Sequence, residues 1–152
     1  MKIFLILGAV ILVLSAGVMW WSGSAQPNDS DIISTTGIHW HPELTILVKG
    51  EAQVIPPNIG IGAQYSSYRN FDKQMGMTAI HTHDDADRGI IHFEFSGTVR
   101  EADLTLGRFL AVWGKDIDSF GKNPRMTVNG TENTELQDYV MRDKDKIVLD
   151  YD

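Results

Sequence analysis

The chain has 152 residues and a mass of 17.0 kDa, enough for one domain around one modest core. Acids outnumber bases 20 to 13, and the resulting net charge of −7 repels phosphate backbones, which argues against nucleic acid as a partner. There is no cysteine, so disulfides, thiolate metal sites and cysteine nucleophiles are excluded.

Residues 3–21 carry no charge. As a helix such a run spans about 28 Å, close to the hydrocarbon thickness of a bilayer. Lys2 precedes it, and no further Lys or Arg occurs before Lys49, whereas Asp29 and Asp31 follow closely. The positive-inside bias then leaves the N-terminus in the cytoplasm and sends the rest of the chain out. Trp20 and Trp21 stand at the far end, where amphipathic rings prefer the interface. Residues 1–21 therefore read as a single-pass transmembrane anchor. They also fit a cleaved signal segment with Gly23-Ser24-Ala25 as its small-residue site; the length of the apolar run favours the anchor. The first reading gives a membrane protein with its C-terminal part outside the cytoplasm, the second a secreted one. Residues 22–37, rich in Ser, Thr, Gly, Asn and Asp, read as a linker, and residues 38–152 as the extracytoplasmic domain.

Within the domain, alternation over Leu44, Ile46 and Val48 predicts a half-buried strand. Lys49-Gly50 would turn it into a partner over residues 52–55, which Pro56-Pro57 ends. Residues 58–78 are turn-rich and unassigned. Residues 79–83 and 90–95 read as two strands joined by the loop Asp84 to Gly89, with Ile91, Phe93 and Phe95 on one face and His92 and Glu94 on the other. Thr105 caps a helix whose apolar residues Leu106, Phe109, Leu110 and Trp113 recur at helical spacing, and Gly114 stops it. Asn129-Gly130 is a strong hairpin signal after Met126 to Val128. The charged turn Arg142 to Lys146 introduces a closing strand over residues 147–151. Two hairpins flanking a helix predict an α+β domain with a mixed or antiparallel sheet.

The chemistry lies in five histidines gathered in three places: His39-Trp40-His41, His81-Thr82-His83 and His92. In a strand, residues i and i+2 project from one face about 7 Å apart. Two imidazoles so placed can reach one cation at a metal–nitrogen distance of about 2.0–2.1 Å. If Asp84 to Gly89 closes a hairpin, His81 pairs with His92 and His83 with Ile90, and one hairpin supplies three nitrogen ligands. His39 or His41 would add a fourth from the neighbouring segment. Imidazole suits copper and zinc among other ions. The thioethers of Met75 and Met77 would favour copper(I), although methionines more often fill cores. Asp84, Asp85, Asp87 and Glu94 are near enough to ligate or to hold an imidazole tautomer. No G-x-S-x-G elbow or P-loop is present.

Taken together, His39 to Pro42, Ile55 to Gly60, Ile80 to Asp84, Ile91 to Glu94, Leu106 to Gly114 and Val128 to Gly130 resemble the motifs of a family. It comprises small membrane-anchored exported proteins of bacteria and archaea with H-W-H-P, I-H-T-H-D, I-H-x-E, L-G-x-F-x-x-x-W-G and V-N-G segments. The opening hairpin, the helix, V-N-G and the terminal strand are also similar to a β-grasp module. The resemblance implies a histidine metal site and no particular substrate.

The reading that results is a membrane-tethered metal-binding protein that holds copper or zinc through His81, His83, His92, His39 and His41 and buffers, senses or transfers the ion. Two alternatives stay open. A metalloenzyme would use three histidines and an open position for water or oxygen, with Glu94 or Asp84 as base. A structural or assembly subunit would use the metal as a staple.

Overall fold

The computed structural model describes residues 29–152. The segment read as anchor or signal, residues 1–21, lies outside the described residues. Among the described residues no helix is long and apolar enough to cross a membrane.

The compact unit runs over Asp31–Asp152 and is α+β, mostly strand with one α-helix among the described residues. Its strands, in chain order, are β1 (Ile32–Ser34), β2 (Ile38–Trp40), β3 (Glu43–Val48), β4 (Glu51–Ala52), β5 (Phe71–Asp72), β6 (Met77–Thr78), β7 (Ile80–His81), β8 (His92–Phe95), β9 (Val99–Arg100), β10 (Arg125–Val128), β11 (Thr131–Asn133) and β12 (Lys146–Tyr151). The helix, α1, is Leu106–Trp113, between β9 and β10. Strand β1 falls within the stretch read as linker. It pairs antiparallel with β9, and Ile33 packs on the core, so this part of the segment is folded.

A mixed five-stranded sheet has the order β11-β10-β12-β3-β4. At its centre β12 runs parallel to β3, from Lys146 opposite Glu43 to Tyr151 opposite Val48. The two hairpins on its flanks close through Lys49-Gly50 and Asn129-Gly130, all four residues at positive φ, as two-residue turns matched to strand twist require. The return strand β4 is shorter than expected and ends at Ala52, two residues before the exposed Val54. Alternation buries Leu44, Ile46, Ile147, Leu149 and Tyr151.

Helix α1 begins where the Thr105 hydroxyl accepts from the Arg108 amide at 3.2 Å and ends at Gly114 in the left-handed conformation. It buries Leu106, Phe109, Leu110 and Val112, while Trp113 stays half-exposed against Phe109 and Phe120. Two turns are too few to stand alone in water. The helix is held by β7 and by the turn at Leu136–Asp138.

A second sheet, β2-β8-β7, is antiparallel throughout and carries the histidines. The chain leaves β2 through His41 and Pro42 and enters β3 directly. The pairing against β8 continues past β2, with the Ile91 amide donating to the Pro42 carbonyl at 3.0 Å and a bridge between Glu43 and Ile90. One strand run thus belongs to both sheets. Ile80, Ile91 and Phe93 are buried on the inner face of the small sheet. Full burial of such a side chain contributes about 1.5–3 kcal/mol, so the inner face is a stiff backing for whatever the outer face holds.

Candidate metal centre

Alternation about Trp40 and Thr82 sets the outer face. Trp40 packs toward the core, and Thr82 is buried and donates its hydroxyl to the Pro56 carbonyl at 2.9 Å while accepting from the Ile59 amide at 3.0 Å. Each H-x-H segment is pinned through its middle residue, so its histidines project the other way. The register then lines them up. His81 stands opposite His92. His39 stands opposite Glu94 and Trp40 opposite Phe93, so His41, next in the same register, falls beside His92. His41, His92 and His81 form one row across three neighbouring segments, and His39 and Glu94 begin the next.

The expected opposition of His81 and His92 is therefore present, but that of His83 and Ile90 is not. The ladder stops at His81, and Ile90 bridges Glu43. Asp84–Arg88 winds into a 3-10 turn with extended His83 at its head and left-handed Gly89 at its foot. The turn is clamped to the large sheet: the Leu44 amide donates to the Gly89 carbonyl at 2.8 Å, and a Cβ at Gly89 would collide with the Leu44 carbonyl. His83 still reaches the cluster from that position.

All five rings make one continuous array. Centroids lie 4.7 Å apart for His39–His41, 4.8 Å for His41–His92, 4.7 Å for His83–His92, 4.7 Å for His81–His83 and 5.5 Å for His81–His92. Two triads offer one nitrogen per residue with all three within 4.8 Å of one another: His81, His83 and His92, and His39, His41 and His92. Both could hold a metal ion. Around a tetrahedral ion, nitrogens at about 2.0–2.1 Å are roughly 3.3 Å apart, so either triad would have to draw in from its present spacing.

The hydrogen bonds say which nitrogens are free. His81 Nδ1 lies 2.9 Å from the Thr78 carbonyl oxygen, which only accepts, so Nδ1 carries the proton. Its Nε2 is buried and has no hydrogen-bond partner among the described residues. Burial holds the His81 ring below the usual imidazole pKa against the opposing pull of the Thr78 bond, and the neutral ring so favoured has its lone pair on Nε2. His92 Nε2 donates to both oxygens of Asp85, at 3.1 and 3.3 Å. Burial works to raise the Asp85 carboxyl, but the hydrogen bond from His92 and the nearby Arg88 guanidinium leave it below the ordinary carboxylate value. His92 Nδ1 is then a second buried lone pair without a partner. Buried polar atoms are paired in the great majority of cases. Two unpartnered nitrogens on neighbouring rings of one triad are lone-pair donors that a cation could use.

The outer triad is built similarly but nearer water. His39 Nε2 lies 3.1 Å from Glu94 Oε1, and its side chain is 64% exposed. The His41 backbone amide donates to Asp143 Oδ1 at 2.9 Å. Burial, then the neighbouring His92 and His39, lower the His41 pKa. Asp84 and Asp87 are exposed in the 3-10 turn and pair with none of these rings.

Beside the array opens a cleft of about 850 Å³, whose wall includes His39, His81, Glu94, Arg69 and Arg100. Met75 and Met77 line this cleft too, and Met75 is 58% exposed. Local patterning held no signal for Thr78, Asp143 or Arg69, because each reaches the site through a fold contact and not through spacing. Comparison with known proteins adds no family: no protein-family model matches the chain, and no curated protein or solved structure matches it.

Proposed function

We propose that this chain is a membrane-tethered, extracytoplasmic protein that binds copper or zinc through its histidine array and buffers, senses or passes on the ion. The observation that carries this reading is the pair of buried ring nitrogens without a partner on adjoining rings, His81 Nε2 and His92 Nδ1, each left free because the ring's other nitrogen is held. A carboxylate or carbonyl behind a ligating imidazole fixes its tautomer and raises its basicity, and Asp85 and Thr78 supply such groups here. An all-imidazole donor set with no thiolate suits zinc and copper. The uncharged run at residues 3–21 supports the tether, and the sheet order β11-β10-β12-β3-β4 with α1 between the hairpins supports a β-grasp-like fold. Membership of the family with the H-W-H-P and I-H-T-H-D segments is part of the same proposal.

The cleft favours a second reading, a metalloenzyme in which Glu94 serves as base beside an open coordination position. Elemental analysis of the purified full-length protein in detergent tests the first claim. The wild type is expected to carry one equivalent of zinc or copper, and a His81→Ala/His83→Ala variant much less. Equal metal in both would overturn the assignment. A cobalt(II) spectrum that shifts on adding azide would favour the enzyme reading, since azide needs an open position.

A further inference from the structure

The two triads meet at one residue. His81 and His83 touch His92 from one side, His41 touches it from the other, and His39 reaches the array through His41. They differ sharply in access. His81 is fully buried, whereas the His39 side chain is 64% exposed. His92 lies between, with its side chain 12% exposed.

His92 is also a bottleneck in chemistry. A neutral imidazole has one lone pair, and with Nε2 donating to Asp85 the lone pair of His92 is on Nδ1. It can serve one cation at a time. Two full triads therefore cannot both be satisfied while the Asp85 bond stands. Two dications on adjacent triads would also repel each other across a few ångströms.

From this arrangement we infer that the array is a two-position relay for a single ion: His39 and His41 form an entry position that loads and unloads a buried storage position made by His81 and His83, and His92 stays on the ion throughout. The inference rests on the metal-binding reading and adds to it a stoichiometry, a direction and separate roles for the two pairs. The inner position is the tighter one, because His81 is pre-set by the sheet and by its bond to the Thr78 carbonyl, and its buried Nε2 has no competing partner. The outer position is the accessible one. An ion bound there gains two ligands before it gives up water, so the exchange proceeds stepwise and never leaves a bare ion. Removing an entry position from the path of an equilibrium slows arrival and departure alike, because the states at its two ends are unchanged.

The test uses zinc with the full-length protein in detergent, with stoichiometry from calorimetry and exchange rates from stopped-flow mixing with a chromogenic chelator. The wild type is expected to bind one zinc. A His39→Ala/His41→Ala variant should still bind one zinc, with association and dissociation both slowed by roughly tenfold. The conservative His39→Gln/His41→Gln pair should behave alike. His83→Ala, which leaves buried His81 in place and guards against misfolding, should weaken affinity by about tenfold or more while leaving association fast. Two zincs per wild-type chain would overturn the relay and leave the metal reading standing. So would an outer-pair variant that loses affinity with unchanged association. No zinc on the wild type would overturn both.

Discussion

Asp85 offers the sharpest test of how the centre is organised. Its carboxylate receives the Nε2 hydrogen of His92 at 3.1 Å, and this bond leaves Nδ1 as the nitrogen that the proposed ion would use. Adding that hydrogen bond, the ring and a metal–nitrogen bond of about 2.0–2.1 Å puts the carboxylate roughly 6–7 Å from the ion. At this distance a carboxylate and a dication attract by about 1 kcal/mol in a water-like dielectric and about 5 kcal/mol at an effective dielectric of 20. The Asp85 side chain is 26% exposed, so screening favours the lower part of that range. Support of this kind usually amounts to a 10–100-fold effect on affinity, or about 1.4–2.7 kcal/mol. Asp85→Asn keeps an acceptor for Nε2 and loses the charge, so zinc affinity should fall about tenfold. Asp85→Ala also frees the ring to exchange tautomers and should approach a hundredfold loss. Competition against a zinc chelator of known affinity measures both. If Asp85→Ala holds zinc as tightly as the wild type, Nδ1 of His92 is not the ligand atom and the tautomer argument fails.

Two further predictions concern the frame. Asp145 is 7% exposed and accepts from Asn129 Nδ2 at 3.0 Å, the Tyr139 hydroxyl at 2.7 Å and the Arg142 amide at 2.7 Å. Asp145→Ala strands all three donors and should cost about 2–4 kcal/mol in urea unfolding; a cost under about 1 kcal/mol would show that water replaces the carboxylate. Tyr151 is fully buried with its hydroxyl on the Ile117 carbonyl, and burial, helped by Asp118 and Asp116, pushes its pKa up to about 12. A pKa raised on folding stabilises below the unfolded value of about 10, and that contribution drains away as pH climbs toward 12. Between pH 9 and 11.5 the wild type should lose about 2 kcal/mol more than Tyr151→Phe; equal losses would refute the shift.

The elements that could be read directly were those with local causes. Lys49-Gly50, Asn129-Gly130 and the Thr105 to Gly114 helix each carry their own turn or cap chemistry and form where they should. The pairing of His81 with His92 followed from counting across a loop, and it is present. The same count failed at His83, because the Asp-rich loop winds up and Gly89 is drawn to Leu44 of the large sheet. No pattern within a short window reports that pull. Strand β1 was hidden because its partner is β9, far along the chain, and its Ile32-Ile33 pair is too brief to show a period. The placing of His41 beside His92 depends on β2 meeting β8, a choice made by the whole core.

The amide of His41 is fastened to Asp143, 102 positions later in the chain, and the strand that follows His41 is flanked by the parallel β12. Contacts of such long sequence separation form slowly, since the intervening loop must close first. During synthesis the early histidines travel on a chain whose central strand still lacks its neighbour. On the metal-binding proposal, an ion captured then would meet loosely held rings, and firm retention waits until the late-made segment has docked.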